Sequence, residues 1–549
     1  MKGLMQEHEL LISSVIRHAA ENHGDREVVT RESDGRITRS CYAQVEQRAR
    51  QLAAALVGLG IRPGDRVATL AMNSYRHLEC YYGISGMGAV LHTVNPRLFA
   101  EQISYIINHG QSRALLLDPC FLPLVESIAP RLKKIEHLIV LTESTLMPPA
   151  GGRPMLCYEQ LLDAAPGSYQ WPSFDERSAA SLCYTSGTTG QPKGVLYSHR
   201  STLLHALVSL QADCFGLRSV DAVLPIVPMF HVHAWSMPYG CAMAGAKMVL
   251  PGNHVDAPSL VELIQSEQVT MALGVPTVWS MLVNHLRDSG QSLPSLQRAV
   301  VGGAALPPAI RDALEQCSGA RVIHAWGMTE TSPTGAVATT TANLEQLSAD
   351  ERRAELLKQG RPPWGVELKI TNPEGEPLPS DGISSGQLWI RGPWIARGYF
   401  RRGRERVLDE DGWFPTGDVA SRDAYGFIKI SDRTKDVIKS GGEWISSIDI
   451  EHIATAHPQV RFAAAVAADH PKWGERPLLI VVRADGSALG AEELLEYMRP
   501  RMARWWLPDA VVFVSELPLT ATGKVLKTSL RAAYRDYFLT APGQPTGNR

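Results

Sequence analysis

Strand-like and helix-like stretches alternate through most of this 549-residue chain, and that alternation limits the fold more than any single motif does. Between residues 25 and 145, short apolar runs at 66–72, 89–94, 114–118 and 137–142 are separated by amphipathic segments such as 42–60 and 99–109. The pattern predicts α/β layering with largely parallel sheets. It resumes at 222–227, 246–250, 271–275, 298–301 and 321–324, which predicts a second α/β sheet. Short β-type runs at 366–371 and 386–391, broken by Gly, Pro and Asp, predict a small antiparallel module between Pro362 and Arg397. Beyond Asp432, helical stretches at 448–456 and 491–505 and β-type runs at 463–468, 478–483 and 511–515 predict a small α+β domain. The expected division is 1–432 and 433–549, with a hinge within 432–436 and a frayed tail at 541–549.

Between the two stretches of alternation lies Tyr184-Thr185-Ser186-Gly187-Thr188-Thr189-Gly190-Gln191-Pro192-Lys193-Gly194. Glycines let successive N–H groups converge on an anion, hydroxyls add donors or a cation ligand, and Lys193 adds a mobile positive charge. A triphosphate asks for this chemistry, so ATP is the first hypothesis, against the alternative of a solvated surface turn. The loop departs from the P-loop pattern, because Pro192 stands at the second glycine and Gly194 follows the lysine.

A net charge of −2, from 54 basic and 56 acidic residues, provides no electrostatic footprint for nucleic acid or an anionic membrane. The expected partners are small molecules. Eight cysteines without C-x-x-C spacing read as reduced thiols of a cytoplasmic protein. The N-terminus lacks a signal-peptide h-region, and no apolar run reaches the ~18 residues of a membrane span.

Six further segments carry the functional argument: Met229-Phe230-His231-Val232-His233-Ala234-Trp235, Val301-Gly302-Gly303-Ala304, His324-Ala325-Trp326-Gly327-Met328-Thr329-Glu330-Thr331, Trp413-Phe414-Pro415-Thr416-Gly417-Asp418, Asp432-Arg433-Thr434-Lys435-Asp436 and Thr522-Gly523-Lys524. With the Gly/Thr loop, in this order and spacing, they resemble the adenylate-forming superfamily of acyl-CoA synthetases, luciferases and adenylation domains, over essentially residues 10–540. The resemblance implies two half-reactions: a carboxylate attacks the α-phosphate of ATP to give an acyl adenylate and pyrophosphate, and a thiol, usually that of CoA, then displaces AMP. Catalytic roles carry over to Lys524, Glu330 and Lys193, with Glu330 and Thr185 as ligands of Mg²⁺. Nucleotide-binding roles carry over to Thr185, Ser186, Gly187, Thr188, Thr189, Gly190, Lys193, Gly303, Ala304, His324, Ala325, Trp326, Gly327, Thr329, Asp418, Arg433, Lys435 and Lys524. Trp326 offers a face for adenine, and Asp418 offers two carboxylate oxygens for the ribose hydroxyls. Lys435 matches the pivot of a mobile C-terminal domain, and Lys439-Ser440-Gly441-Gly442-Glu443-Trp444 matches the face that receives CoA. Each residue type has a plainer use as well: a surface lysine, a core tryptophan, a turn glycine or aspartate.

The acyl pocket is expected around His231, Trp235, Val275, Gly302 and Met328. In the amino-acid adenylation domains of the superfamily that the chain resembles, an aspartate in the segment matching His231–Trp235 usually holds the substrate ammonium; this segment has no acidic side chain, which argues against an α-amino acid substrate. The lining is mostly apolar, and the local matches look most like the medium- and long-chain fatty acyl-CoA synthetase branch, near the 3-methylmercaptopropionate-CoA ligases. In that branch a tryptophan matching Trp235 gates the tunnel, while His233 departs from the expected asparagine. An acyl-AMP ligase loading a carrier protein and a luciferase-like enzyme stay open as alternatives, and a homodimer is a family-based expectation.

Overall fold

A computed structural model of the chain describes residues 1, 3–149, 154–166, 168–185, 191–403, 407–441, 443–519 and 525–539, with the side chains of Glu443 and Trp444 outside the description. Among these residues the strands form four sheets.

The first sheet has seven strands, in the order Met155–Cys157, His137–Val140, Ser112–Leu117, Arg66–Leu70, Val90–Thr93, Ala179–Tyr184 and Gly194–Ser198. All pairings are parallel except the last, an antiparallel hairpin whose ends are Tyr184 and Gly194. The second has eight strands, in the order Thr334–Ala338, Arg321–Gly327, Arg298–Gly302, Met271–Gly274, Ala222–Pro225, Lys247–Leu250, Glu27–Arg31 and Ile37–Cys41. Its six central strands run parallel, and an antiparallel strand closes each edge.

The helices Ile12–Asn22, Tyr42–Gly58, Tyr75–Gly86 and Met237–Ala244 share one buried cluster with residues of both sheets. Tyr75–Gly86 is buried along its whole length, while Ile12–Asn22 and Tyr42–Gly58 bury an apolar stripe and leave polar residues such as Arg17 and Gln47 exposed. Polar ends of buried side chains reach across the layer: Tyr42 Oη donates to the Ala246 carbonyl at 2.7 Å and Tyr82 Oη to that of Pro238 at 2.6 Å.

The antiparallel module is larger than the sequence suggests, because strands Phe414–Arg422 and Ile428–Arg433 extend the pair Glu367–Thr371 and Gly386–Arg391 into a four-stranded sheet. A fourth, five-stranded sheet begins at Ile438–Ser440, so residues 434–437 join two sheets. The expected helix at 491–505 ends at Met498 and continues as two 3₁₀ turns. Pro500 explains the break, since it lacks the N–H a further α-turn would need. No helix of the described residues is long and apolar enough to cross a membrane. All eight cysteines are free thiols.

Candidate active site

In an open α/β sheet, ligands bind outside the carboxyl ends of the strands, where the strand order reverses. In the eight-stranded sheet that point lies between Ala222–Pro225 and Met271–Gly274, because the chain moves to Lys247–Leu250 on one side and then returns to the other. The segment holding His231 and Trp235 leaves the first of these strands, and Val275 leaves the second. Gly302 ends the next strand along, and Met328 follows the one after. The five expected acyl-pocket residues therefore follow the carboxyl ends of neighbouring strands, and Trp235 and Gly302 meet directly: a Cβ added at Gly302 would stand 3.0 Å from the Trp235 ring.

Trp235 sits in an unusual turn. Val232, His233, Ala234, Trp235 and Ser236 have φ of 44°, 52°, 46°, 56° and 63°, five successive left-handed residues without a glycine. Each such residue costs roughly 1–2 kcal/mol, so packing must impose the conformation. A buried relay does so. The Thr334 N–H donates to His205 Nε2 at 3.1 Å, which leaves the proton on Nδ1 to be donated to Ser236 Oγ at 2.8 Å, and Ser236 Oγ faces the Ser332 carbonyl at 3.5 Å. Burial holds His205 down to about 3, so it stays neutral in this role. His233 is wedged edge-on between Tyr81 and Tyr197, with ring centroids 5.7 and 5.1 Å away, and burial likewise depresses it to about 3. The departure from asparagine at this position thus places a neutral aromatic ring between two others.

Glu330 lies buried in the 3₁₀ turn Thr329–Thr331. Three contacts bind this turn to its surroundings: Tyr197 Oη donates to the Thr329 carbonyl at 2.6 Å, the Ala396 N–H donates to the Glu330 carbonyl at 2.8 Å, and Tyr399 Oη donates to Glu330 Oε1 at 2.7 Å. The ammonium of Lys193 lies 4.6 Å from the centroid of the same Tyr399 ring. At the mouth of the Gly/Thr loop the Thr185 N–H donates to the Lys193 carbonyl at 2.9 Å, and the Lys193 N–H donates to Thr185 Oγ1 at 3.3 Å. The phosphate-type loop of one sheet and the acidic turn of the other are therefore joined through Tyr399.

Asp418 is buried on the four-stranded sheet and holds two other expected nucleotide ligands. Its Oδ2 accepts from Trp326 Nε1 at 3.0 Å, and its Oδ1 pairs with Arg433 Nε at 2.8 Å. Both carboxylate oxygens are thus engaged, and together they fix the indole and the guanidinium in place. Trp326 is fixed by this bond and by Gly335, where any side chain would collide with the indole. His324 is engaged elsewhere: its Nδ1 lies 3.0 Å from the carbonyls of Leu357 and Lys358, and burial lowers its affinity for protons. Gly303, Ala304, Ala325 and Gly327 line the ends of the two strands at this edge.

Arg433 ends the last strand of the four-stranded sheet, and exposed Lys435 follows it. Beyond them, Ser446 Oγ donates to the Ser431 carbonyl at 2.6 Å and the Ser447 N–H to Asp432 Oδ2 at 2.8 Å, so contacts span the linker 434–437. Lys439 is exposed and Ser440 buried. Gly441, at φ 58°, lies beside two tryptophans, where a Cβ would stand 3.1 Å from Trp505 and 3.3 Å from Trp473. Ser186, Gly187, Thr188, Thr189, Gly190, Gly442 and Lys524, and the side chains of Glu443 and Trp444, lie outside the described residues.

Sequence reasoning missed Tyr399, Tyr197, His205, Trp473 and Trp505. Only Tyr399 had a local signal, as an aromatic residue after Arg397-Gly398. The others are brought to the site by pairing and packing across long sequence separations.

The chain resembles known proteins over nearly its whole length. The family described as AMP-binding enzyme matches residues 16–400, and its C-terminal domain matches residues 449–524. A 3-methylmercaptopropionyl-CoA ligase of Ruegeria lacuscaerulensis is 49% identical over 98% of this chain and 99% of its own. A medium-chain-fatty-acid–CoA ligase of Ectopseudomonas oleovorans is 50% identical over 98% of both chains. Among solved structures, an anthranilate CoA ligase in complex with anthranoyl-AMP superposes with a TM-score of 0.85 at 26% identity, covering 96% of this chain and 98% of that one.

Proposed function

The chain belongs to the AMP-binding enzyme family, and from that premise we propose that it is an ATP-dependent acid–CoA ligase whose preferred acid is a medium- or long-chain fatty acid. The observation that carries the reading is that the Lys193 loop and buried Glu330 meet at Tyr399, while Tyr197 links the Glu330 turn to the turn that sets Trp235 against Gly302. Phosphate, cation and acyl chemistry are supplied side by side.

In the first half-reaction a carboxylate oxygen of the acid bonds to the α-phosphorus as the bond to pyrophosphate breaks. Two anions must approach, so the site has to supply positive charge. Lys193 serves the phosphates, and Lys524 is the lysine assigned to the α-phosphate. Glu330 Oε1 is occupied by Tyr399, which leaves Oε2 for Mg²⁺, with Thr185 Oγ1 nearby in the loop. Bound there, the cation would neutralise charge on the phosphate oxygens. Asp418 and Arg433 hold the ribose, and Trp326, fixed in orientation by Asp418, presents its ring to adenine.

In the second half-reaction the CoA sulfur bonds to the acyl carbon and AMP leaves. Gly441 packs against Trp473 and Trp505, where a side chain would crowd both rings, on the face we assign to the pantetheine arm. Rotation about Lys435 exchanges the Lys524 face for this one, and it would have to break the Ser447–Asp432 and Ser446–Ser431 bonds.

Acid-dependent ATP–pyrophosphate exchange without CoA, followed by thioester formation with CoA, tests the reading across C2 to C18 acids and 3-methylthiopropionate. Exchange with a maximum at medium or long chains is expected. A maximum at 3-methylthiopropionate would transfer the assignment to that acid, and no exchange with any acid would refute the reading.

A further inference from the structure

Lys193 and Glu330 carry opposite charges in one crevice, yet they do not pair with one another; each engages a different part of Tyr399. The tyrosine face attracts the ammonium at 4.6 Å, and its hydroxyl donates to the carboxylate at 2.7 Å. Its backbone is fastened to both partners' elements, because the Phe400 N–H donates to the Gly194 carbonyl and the Ala396 N–H to the Glu330 carbonyl, both at 2.8 Å. Phe414 packs against the ring edge-on, with centroids 6.4 Å apart. The side chain is thus held in place independently of either charge.

We propose that Tyr399 is a positioning residue that keeps Lys193 and Glu330 apart and preset, so that the lysine stays available to phosphate and Glu330 Oε2 to the metal cation. The inference rests on the roles given above to those two residues. Without the spacer, an ammonium and a carboxylate so near to each other would form an ion pair, and substrate would have to break it before binding. The two ends of the side chain make two separable predictions, since phenylalanine keeps the ring and loses only the hydroxyl.

The test measures acid-dependent ATP–pyrophosphate exchange of the full chain against free Mg²⁺ and against ATP. For Tyr399→Phe the Mg²⁺ half-saturation should rise about tenfold, as expected for losing a hydrogen bond to a charged group, while the KM for ATP changes less than about twofold. For Tyr399→Leu both should rise, because the lysine loses its ring. Exchange by the parent enzyme with unaltered Mg²⁺ half-saturation in Tyr399→Phe would overturn the inference and leave the function standing. Absence of exchange in the parent would instead overturn the function. Tyr399→Phe alters no packing, so the decisive arm does not depend on whether Tyr399→Leu folds.

Discussion

The absence of one Cβ decides how close Trp235 comes to the strand end beneath it. A methyl group at Gly302 would stand 3.0 Å from the indole and 3.0 Å from the Ala325 carbonyl, and backbone cannot yield as a flexible side chain can. Gly302→Ala must therefore push the indole into the acyl space, at an overpacking cost of roughly 1–3 kcal/mol. The expected result is a fall in kcat/KM of about tenfold or more for the preferred acid, an optimum shifted to shorter chains and an unchanged KM for ATP. Exchange kinetics over a series of acids measure this, and an unaltered chain-length profile would remove Gly302 from the acyl wall. Asp418 shows a similar economy: one carboxylate orients both Trp326 and Arg433.

At the scale of elements, sequence was informative where burial produces simple patterns. The parallel strands Arg66–Leu70 and Met271–Gly274 are buried throughout or nearly so, and read as apolar runs. Ile37–Cys41, on an edge, has no fully buried residue, and its partner Glu27–Arg31 reaches the second sheet only by pairing with Lys247–Leu250 more than 200 residues away; neither leaves a local trace. The left-handed turn Val232–Ser236 was unreadable for a different reason. No glycine or asparagine marks it, and what enforces it is the His205 relay from another helix. His205→Leu would leave the Thr334 N–H and Ser236 Oγ without these partners, a loss of about 2–5 kcal/mol if neither finds water. Thermal unfolding should fall by several degrees and the KM for acid should rise, with that for ATP little changed. An unchanged melting temperature together with unchanged acid kinetics would show that other packing holds the turn.

Across the whole molecule, four sheets share their charges and buried imidazoles in a way that sets a common response to acid. Burial holds His92, His205 and His233 at about 3 and His77, His199 and His452 at about 4, against an ordinary value near 6.5. As pH falls below about 6.5 the unfolded chain takes up protons that these six folded-state groups refuse, so each one lowers stability, by up to about 1.4 kcal/mol per pH unit. Buried carboxyls act in the opposite sense. Burial raises Asp118 to about 7, so that in the same window its folded-state carboxyl binds a proton the unfolded chain does not, and burial also raises Glu79, Asp432 and Glu451. Six imidazoles set well below this window oppose the carboxyls, and they span the helix layer, the acyl turn and the contact between the last two sheets, so destabilisation is the expected net effect. The melting temperature should therefore decline steadily from pH 7 to pH 5. Replacing His92 by Gln should flatten the decline without abolishing it, because its share belongs to one imidazole among six. A melting temperature that stays level or climbs over this range would show that the carboxyls dominate and that the buried histidines do not govern the acid response.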